Sequence, residues 1–96
     1  MSETAQTPQP WMERTQLLFG EERQRELMRC HVLIVGLGGV GGMAAELIAR
    51  AGIGRLTIVD ADIVQPSNIN RQLVATADSI GRPKAEVLAE RLRSIN

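Results

Sequence analysis

Tyrosine is absent from the 96-residue sequence, and tryptophan and phenylalanine occur once each, as Trp11 and Phe19. A core without aromatics has to be assembled from Val, Ile, Leu and Ala, and a chain of this length buries only a modest share of its surface when it folds. Cysteine is nearly missing too. The single thiol, Cys30, excludes an internal disulfide, and nothing reads as a metal-ligand cluster. An excess of either charge is also lacking: 11 basic and 11 acidic side chains cancel, so the chain as a whole has no electrostatic pull toward nucleic acid or an anionic membrane. The apolar run "VLIV" is far too short to cross a bilayer, and the N-terminal "MSETAQTPQPWMER" has neither a basic start nor an apolar signal core. These absences set the expectation of a reduced, cytoplasmic protein that engages no membrane.

What is present has a clear order. Residues 1–13 read as a flexible N-terminal tail, and residues 14–96 as one nucleotide-binding unit. The good helix formers of residues 20–29 predict a helix with Leu27 and Met28 available for packing. "HVLIVG" (residues 31–36) predicts a strand buried on both faces. A helix follows over residues 40–52, with Ala44, Leu47, Ile48 and Ala51 as its apolar stripe and Gly52 as its stop. "RLTIVD" (residues 55–60) predicts a second strand, and residues 61–80 an irregular stretch carrying Pro66 and several Asn and Asp turn formers. The last helix spans residues 82–95, with Pro83 in its first turn and Ala85, Leu88, Leu92 and Ile95 on its buried side. The fold class this predicts is α/β: a Rossmann-like parallel sheet with flanking helices, of which these residues supply the first βαβα portion. Two strands make a poor sheet, so the chain reads as the N-terminal half of a larger domain whose next strand is absent.

The chemistry concentrates in two places. "GLGGVG" puts Gly36, Gly38 and Gly41 in the G-x-G-x-x-G spacing between a strand and a helix. The first allows a tight turn, the second lets the backbone approach a phosphate, and the third lets the helix pack close to the strand. The helix start then offers unpaired N–H groups to that phosphate. Asp60, at the end of the second strand, can accept hydrogen bonds from a ribose, in NAD or equally in ATP. Asp62 lies close enough to repel it unless a donor or cation intervenes, and both a structural and a functional role stay open for it.

The second place is "SNINRQ", residues 67–72, followed by Lys84. A hydride-transfer domain has no evident need for Asn68, Asn70, Arg71 and Gln72 there. Arg71 and Lys84 converging on a nucleotide suit a triphosphate whose leaving pyrophosphate needs charge neutralisation. The remaining features have plainer readings. Arg82, Lys84, Arg91 and Arg93 form a basic cluster that reads as a solvated helix face. Cys30 reads as a packing residue and His31, which opens a strand, as a structural one.

The segments "VLIVGLGGVGGMAAELIARAGIGRLTIVDADIVQPSNINRQ" and "IGRPKAEVLAERLRSIN" resemble the ThiF/MoeB/HesA family, bacterial relatives of ubiquitin-activating enzymes. The doubled glycine, the "AGIGRLTIVDAD" segment, the N-x-N-R-Q box and the later lysine recur together in that family. The resemblance implies an enzyme that uses ATP and Mg2+ to adenylate a carboxylate. It places Gly39 against the phosphates and Asp60 on the ribose, with Asn68, Arg71 and Lys84 contacting the nucleotide. It also implies a homodimer in which Arg14 of one subunit reaches the other's phosphates in trans.

Within the family the chain is most like the TcdA branch, the tRNA threonylcarbamoyladenosine dehydratases, whose substrate is modified tRNA. An alternative acceptor is the C-terminus of a ubiquitin-like sulfur-carrier protein, with a cysteine desulfurase-type protein as a further partner. The glycines and Asp60 alone also permit an NAD-binding domain or a non-enzymatic nucleotide-binding module. The family's catalytic aspartate, acceptor groove and zinc-binding cysteines are expected beyond residue 96. The 96-residue segment alone is therefore expected to be inactive.

Overall fold

An apolar strand, a glycine-rich turn and a helix of small residues are the ingredients of a parallel crossover, and the computed structural model, which describes residues 7–96, contains one. Strands β1 (His31–Val35) and β2 (Arg55–Val59) lie parallel, in a register running from His31 opposite Arg55 to Val35 opposite Val59. Helix α3 (Gly39–Arg50) connects them, and helix α4 (Lys84–Arg93) packs on the same side. Before the sheet stand α1 (Glu13–Phe19) and α2 (Glu21–Met28), a helical pair broken by Gly20. The α/β class with a parallel sheet and flanking helices is as the sequence predicts. Among the described residues no helix is long and apolar enough to cross a membrane.

The core lies between one face of the sheet and the two later helices. Leu37, Ala45, Ala49, Val64, Val74, Ala75, Leu88 and Leu92 are buried there, with Ile34, Leu56 and Ile58 of the strands against them. The expected line of Ala85, Leu88 and Leu92 on α4 packs inward, with Ile95 just past the end of the helix. Burying a side chain such as Leu88 completely is worth about 1.5–3 kcal/mol, so this short stripe is what holds α4 in place.

Three expectations are corrected. Strand β1 is not buried on both faces: Leu33 and Val35 are 60 % and 73 % exposed, because only one layer of helices covers the two strands described. The buried line of α3 is Gly42, Ala45 and Ala49, while Leu47 is 61 % exposed. Close approach to the sheet selects the smallest residues rather than the most apolar ones, and this turns the helix by one position. Cys30 is exposed rather than packed, because it lies in the turn between α2 and β1, with its Sγ 3.3 Å from the Glu26 carbonyl.

Of the expected tail, residues 1–6 lie outside the described residues. Pro10–Met12 form a 3-10 turn, and Met12 is only 3 % exposed. It meets Gln24, whose Nε2 points to the Met12 sulfur at 3.7 Å and donates to the Ala51 carbonyl at 3.1 Å. Gly52, at φ +97, gives this amide its room, since a Cβ there would stand 2.2 Å from the Gln24 Nε2.

The irregular stretch after β2 is cinched at its base. The Val64 N–H donates to the Arg82 carbonyl at 2.8 Å, the Gly81 N–H to the Val64 carbonyl at 2.9 Å and the Lys84 N–H to the Asp62 carbonyl at 3.0 Å. Helix α4 begins at Lys84 because Pro83, at ψ 131, is still extended.

Candidate functional site

The C-terminal ends of both strands meet the start of α3, and the glycine turn between them is held from two sides. The Gly36 N–H continues the sheet by donating to the Val59 carbonyl at 2.8 Å. The next N–H, of Leu37, donates to the Asp60 Oδ2 at 2.7 Å, and the Leu37 side chain is fully buried below. Gly36 turns at φ +90, and Gly41 closes the packing: a Cβ on Gly41 would fall 1.8 Å from the Gly36 carbonyl oxygen. This is the tight strand–helix approach expected of the third glycine.

Gly38 caps α3 without a side-chain hydrogen bond, and the first bond at the start of the helix runs from the Gly42 N–H to the Gly38 carbonyl at 3.0 Å. Among the described residues the N–H groups of Gly38, Gly39, Val40 and Gly41 meet no acceptor. The start of the helix is thus a row of free donors at the positive end of its dipole, suited to an anion.

Asp60 carries a role that its sequence position does not announce. Besides Leu37 it holds the Asp62 N–H, on Oδ1 at 2.7 Å, so each oxygen fixes one backbone donor. Burial pushes its carboxyl up, but the Asp62 and Leu37 N–H groups, with the positive charge of Lys84, outweigh burial and hold it below the usual aspartate value. Each oxygen keeps a second lone pair free to accept a further hydrogen bond. Asp62 acts through its backbone, its side chain being exposed.

The loop over residues 61–82 lies against this turn. Gln65 and Asn68 cap each other across the 3-10 turn Pro66–Asn68, the Asn68 Oδ1 accepting the Gln65 N–H at 2.9 Å. The Asn68 carbonyl then accepts the N–H groups of Arg71 and Gln72, at 3.1 and 2.9 Å. The consequence is proximity: the Arg71 carbonyl lies 3.6 Å from where a Cβ on Gly39 would stand, and the Gln72 Nε2 3.7 Å from the same position on Gly38. The Arg71 guanidinium is folded back on its own loop, donating to the Ser67 carbonyl at 3.0 Å and the Asn70 Oδ1 at 2.9 Å.

Lys84 opens α4 and is only 6 % exposed. Among the described residues no carboxylate comes within 4.0 Å of it. Its positive charge is felt by Asp60 but held in no ion pair, which suits an incoming negative group. Gly36, Gly38, Gly39, Gly41, Asp60, Asn68, Arg71 and Lys84 therefore belong to one corner of the fold. Arg14 does not join them: it is exposed on α1, and no hydrogen bond or ion pair ties it to that corner among the described residues.

Two supports were missed in the sequence. Ser79 is buried and locks the loop, its hydroxyl donating to the Val74 carbonyl at 2.6 Å and accepting the Thr76 N–H at 2.8 Å. A turn-forming Ser in a polar stretch is the only signal for it. Arg82, read as part of a solvated basic face, clasps Glu86 at 2.8 Å and Glu90 at 2.6 Å, pinning the loop to α4. Arg91 likewise bridges to Glu46 on α3.

An open apolar cleft of about 180 Å³ lies elsewhere, lined by Ile53, Leu56, Leu92, Arg93 and Asn96 among others. It contains none of the residues of the glycine corner. Free N–H donors and a cation held in no ion pair, rather than enclosed volume, make the glycine corner the candidate site.

Comparison with known proteins identifies the family and the fold. The family model described as "ThiF family" matches residues 12–96. The tRNA threonylcarbamoyladenosine dehydratase of Escherichia coli K12 is 47% identical over 89 residues, a match covering 90% of this chain and 33% of the relative. The sulfur carrier protein ThiS adenylyltransferase of the same organism is 45% identical over 73 residues, covering 76% of this chain and 29% of that protein. A crystal structure of the E. coli dehydratase, TcdA, in complex with ATP superimposes with a TM-score of 0.86 at 47% identity, covering 88% of this chain and 35% of that one. The chain thus spans about a third of the length of the dehydratase it matches.

Proposed function

The chain belongs to the ThiF family, and from that premise we propose that it is the ATP-recognising part of an enzyme that adenylates a carboxylate, that of the threonylcarbamoyl group on a tRNA adenosine. The observation that carries this reading is the placement of a buried, unpaired Lys84 and the loop of Asn68 and Arg71 beside the free N–H groups of Gly38–Gly41. A dinucleotide site needs the glycines and Asp60; the added positive charge suits the larger charge of a triphosphate and its leaving pyrophosphate.

In this reading the α3 N–H groups receive phosphate oxygens, and Asp60 receives the ribose. The substrate carboxylate attacks the α-phosphorus, its bond to pyrophosphate breaks, and an acyl adenylate forms. Lys84 and Arg71 stabilise the charge gathering on the pyrophosphate. Arg71 gives up only exposed contacts to Ser67 and Asn70 to reach it. A nucleophile within the modification then displaces AMP and closes a ring. The carboxylate oxygen leaves with AMP, so the nucleoside undergoes a net loss of water.

Mg2+ is expected to arrive on the triphosphate. The described residues do not build a cage for it: no three His, Cys, Asp or Glu side chains converge, and both Asp60 oxygens already carry N–H groups. A homodimer with Arg14 acting in trans, and a cytoplasmic location, complete the proposal. Exposure of Leu17 and Leu18 on the helix that carries Arg14 supports a partner on that side.

A second reading, adenylation of a sulfur-carrier C-terminus, is favoured by the similarity to the ThiS adenylyltransferase. One experiment separates the two. The full-length protein is incubated with ATP, Mg2+, a ubiquitin-like sulfur-carrier protein and tRNA from a strain lacking the enzyme, and the digested nucleosides and the carrier are weighed by mass spectrometry. Loss of one water from threonylcarbamoyladenosine only with ATP supports the first reading. An unchanged nucleoside, with AMP transferred to a small carrier protein, overturns it in favour of the second.

A further inference from the structure

The start of α4 is weakly held by the helix itself. Pro83 stands at its cap with no side-chain hydrogen bond and no N–H to give, and the first helical bond runs from the Val87 N–H to the Pro83 carbonyl at 3.1 Å. The junction is tied instead to the chain after β2. A short antiparallel bridge pairs Ile63 with Pro83, through the Val64 N–H on the Arg82 carbonyl and the Lys84 N–H on the Asp62 carbonyl. The Asp62 N–H in turn rests on Asp60, so Asp62 alone links the Asp60 carboxylate to the Lys84 backbone. Among the described residues Lys84 is held in no ion pair. The place of its ammonium therefore follows from where this junction sits.

Arg82 braces the junction from outside. It leaves the chain just before Pro83 and crosses to α4, where Nη1 and Nη2 donate to the two oxygens of Glu90 at 3.1 and 2.6 Å and Nη2 also to Glu86 at 2.8 Å. These bonds outweigh desolvation and hold the Glu90 carboxyl below its ordinary value. Glu86 and Glu90 lie one turn apart on one face of the helix, so a planar guanidinium that grips both opposes rotation of α4 as well as tilt. Exposed ion pairs add little to overall stability, and Leu88 and Leu92 already fasten α4 to the core. What the clasp does is narrow the positions open to the residues between its two ends, and Lys84 is one of them.

We propose that Arg82 is a positioning residue: by clasping Glu86 and Glu90 across Pro83 it sets where the Lys84 ammonium stands relative to Asp60 and the glycine turn, and through Lys84 the rate at which pyrophosphate leaves. The inference rests on the adenylation reading above and deepens it with a residue that itself touches no nucleotide. A charge stabilises a transition state best when its place is fixed beforehand, and a misplacement of about 1 Å can cost about a hundredfold in rate. The loss expected here is smaller, because the backbone bridge and the buried side of α4 remain.

Pyrophosphate release by the full-length enzyme is followed at saturating ATP with Mg2+ and both acceptors present, the tRNA and the sulfur-carrier protein, and thermal unfolding is recorded in parallel. Arg82→Met is expected to lower kcat about three- to tenfold, with the unfolding midpoint close to that of the parent. Arg82→Lys keeps the charge but cannot grip both carboxylates in the same way, and should recover only part of the loss. The reversed pair, Arg82→Glu with Glu90→Arg, again sets one guanidinium between two carboxylates and should restore most of the lost rate. In a Lys84→Met background, Arg82→Met should cost nothing more, because the residue it acts through is gone.

Release at the parental rate in Arg82→Met overturns the assignment and leaves the adenylation reading intact. Failure of Arg82→Met to fold, or a loss undiminished in the Lys84→Met background, makes the clasp a structural tie and overturns it too. A parent enzyme that releases no pyrophosphate with either acceptor overturns the adenylation reading and this assignment with it.

Discussion

Asp60 and Leu37 are tied together across the top of the sheet, carboxylate oxygen to backbone N–H at 2.7 Å, with the Leu37 side chain fully buried beneath. One contact joins the end of β2 to the turn after β1, where the Gly36 N–H already meets the Val59 carbonyl at 2.8 Å. The turn is therefore rigid at both ends before any ligand arrives. Donors fixed in advance bind an anion without a further ordering cost.

Asp60→Asn keeps the shape, but its amide offers only one oxygen, so one of the two N–H groups loses its acceptor. A loss of about 1–2 kcal/mol in unfolding free energy is expected, read from urea titration. The acid limb changes as well. The folded Asp60 pKa is depressed below its ordinary 3.8, so its contribution is complete above that value and is lost as pH falls through the folded pKa. Below about pH 4 the stability of the parent should therefore fall more steeply than that of the variant. Parallel pH curves for the two proteins would exclude the latch.

Gly41→Ala tests the closest approach in the site. A Cβ 1.8 Å from the Gly36 carbonyl oxygen cannot be accommodated by a side-chain shift, because the obstacle is backbone. The helix and strand must separate, at a cost of about 1–3 kcal/mol or more. ATP affinity should fall with the midpoint of unfolding, since the separation also moves the donors. A variant as stable as the parent would show that α3 is not clamped here.

Lys84→Met and Arg71→Ala address the two cations. Each is expected to slow pyrophosphate release in the full-length enzyme at least about tenfold, as for removal of a positioned charge from developing negative charge. They differ in stability. Lys84 is buried without a paired carboxylate, so an apolar residue of similar length should fold as well or better. Arg71 is exposed, and its loss should leave the midpoint within error. Pyrophosphate release at parental rates in both variants would remove the charge-neutralising role.

Gly52→Ala concerns the N-terminal helical pair. The added methyl would stand 2.2 Å from the Gln24 Nε2, at a φ of +97 that disfavours any side chain. About 1–3 kcal/mol of destabilisation is expected. Gln24→Ala removes the group in the way, so the double variant should lose less than the sum of the two single variants. Strict additivity would mean that the backbone conformation alone carries the cost.

The sequence by itself determined the order of elements from α2 onward, the glycine turn and the corner where the proposed site lies. Each rests on local rules: an apolar run that ends in glycine, helix formers with a stop, an acid at a strand end. The stripe of α4 was legible for the same reason, because a helix of ordinary residues buries its largest apolar side chains.

Tertiary structure decided the rest. Helix α3 turned toward its smallest residues, since the distance to the sheet is set by Gly41 against Gly36 and not by apolarity. Strand β1 was left half-covered because burial belongs to the layers packed on a strand, and its own composition does not count them. The short helix α1 and the buried Met12 had no periodic pattern to announce them; Gln24, reaching across from α2, is what closes over that turn. Asp60 as a latch and Gln72 against Gly38 were equally invisible. Both depend on contacts between segments far apart in the chain, which form only once the sheet and the loop have brought their atoms together.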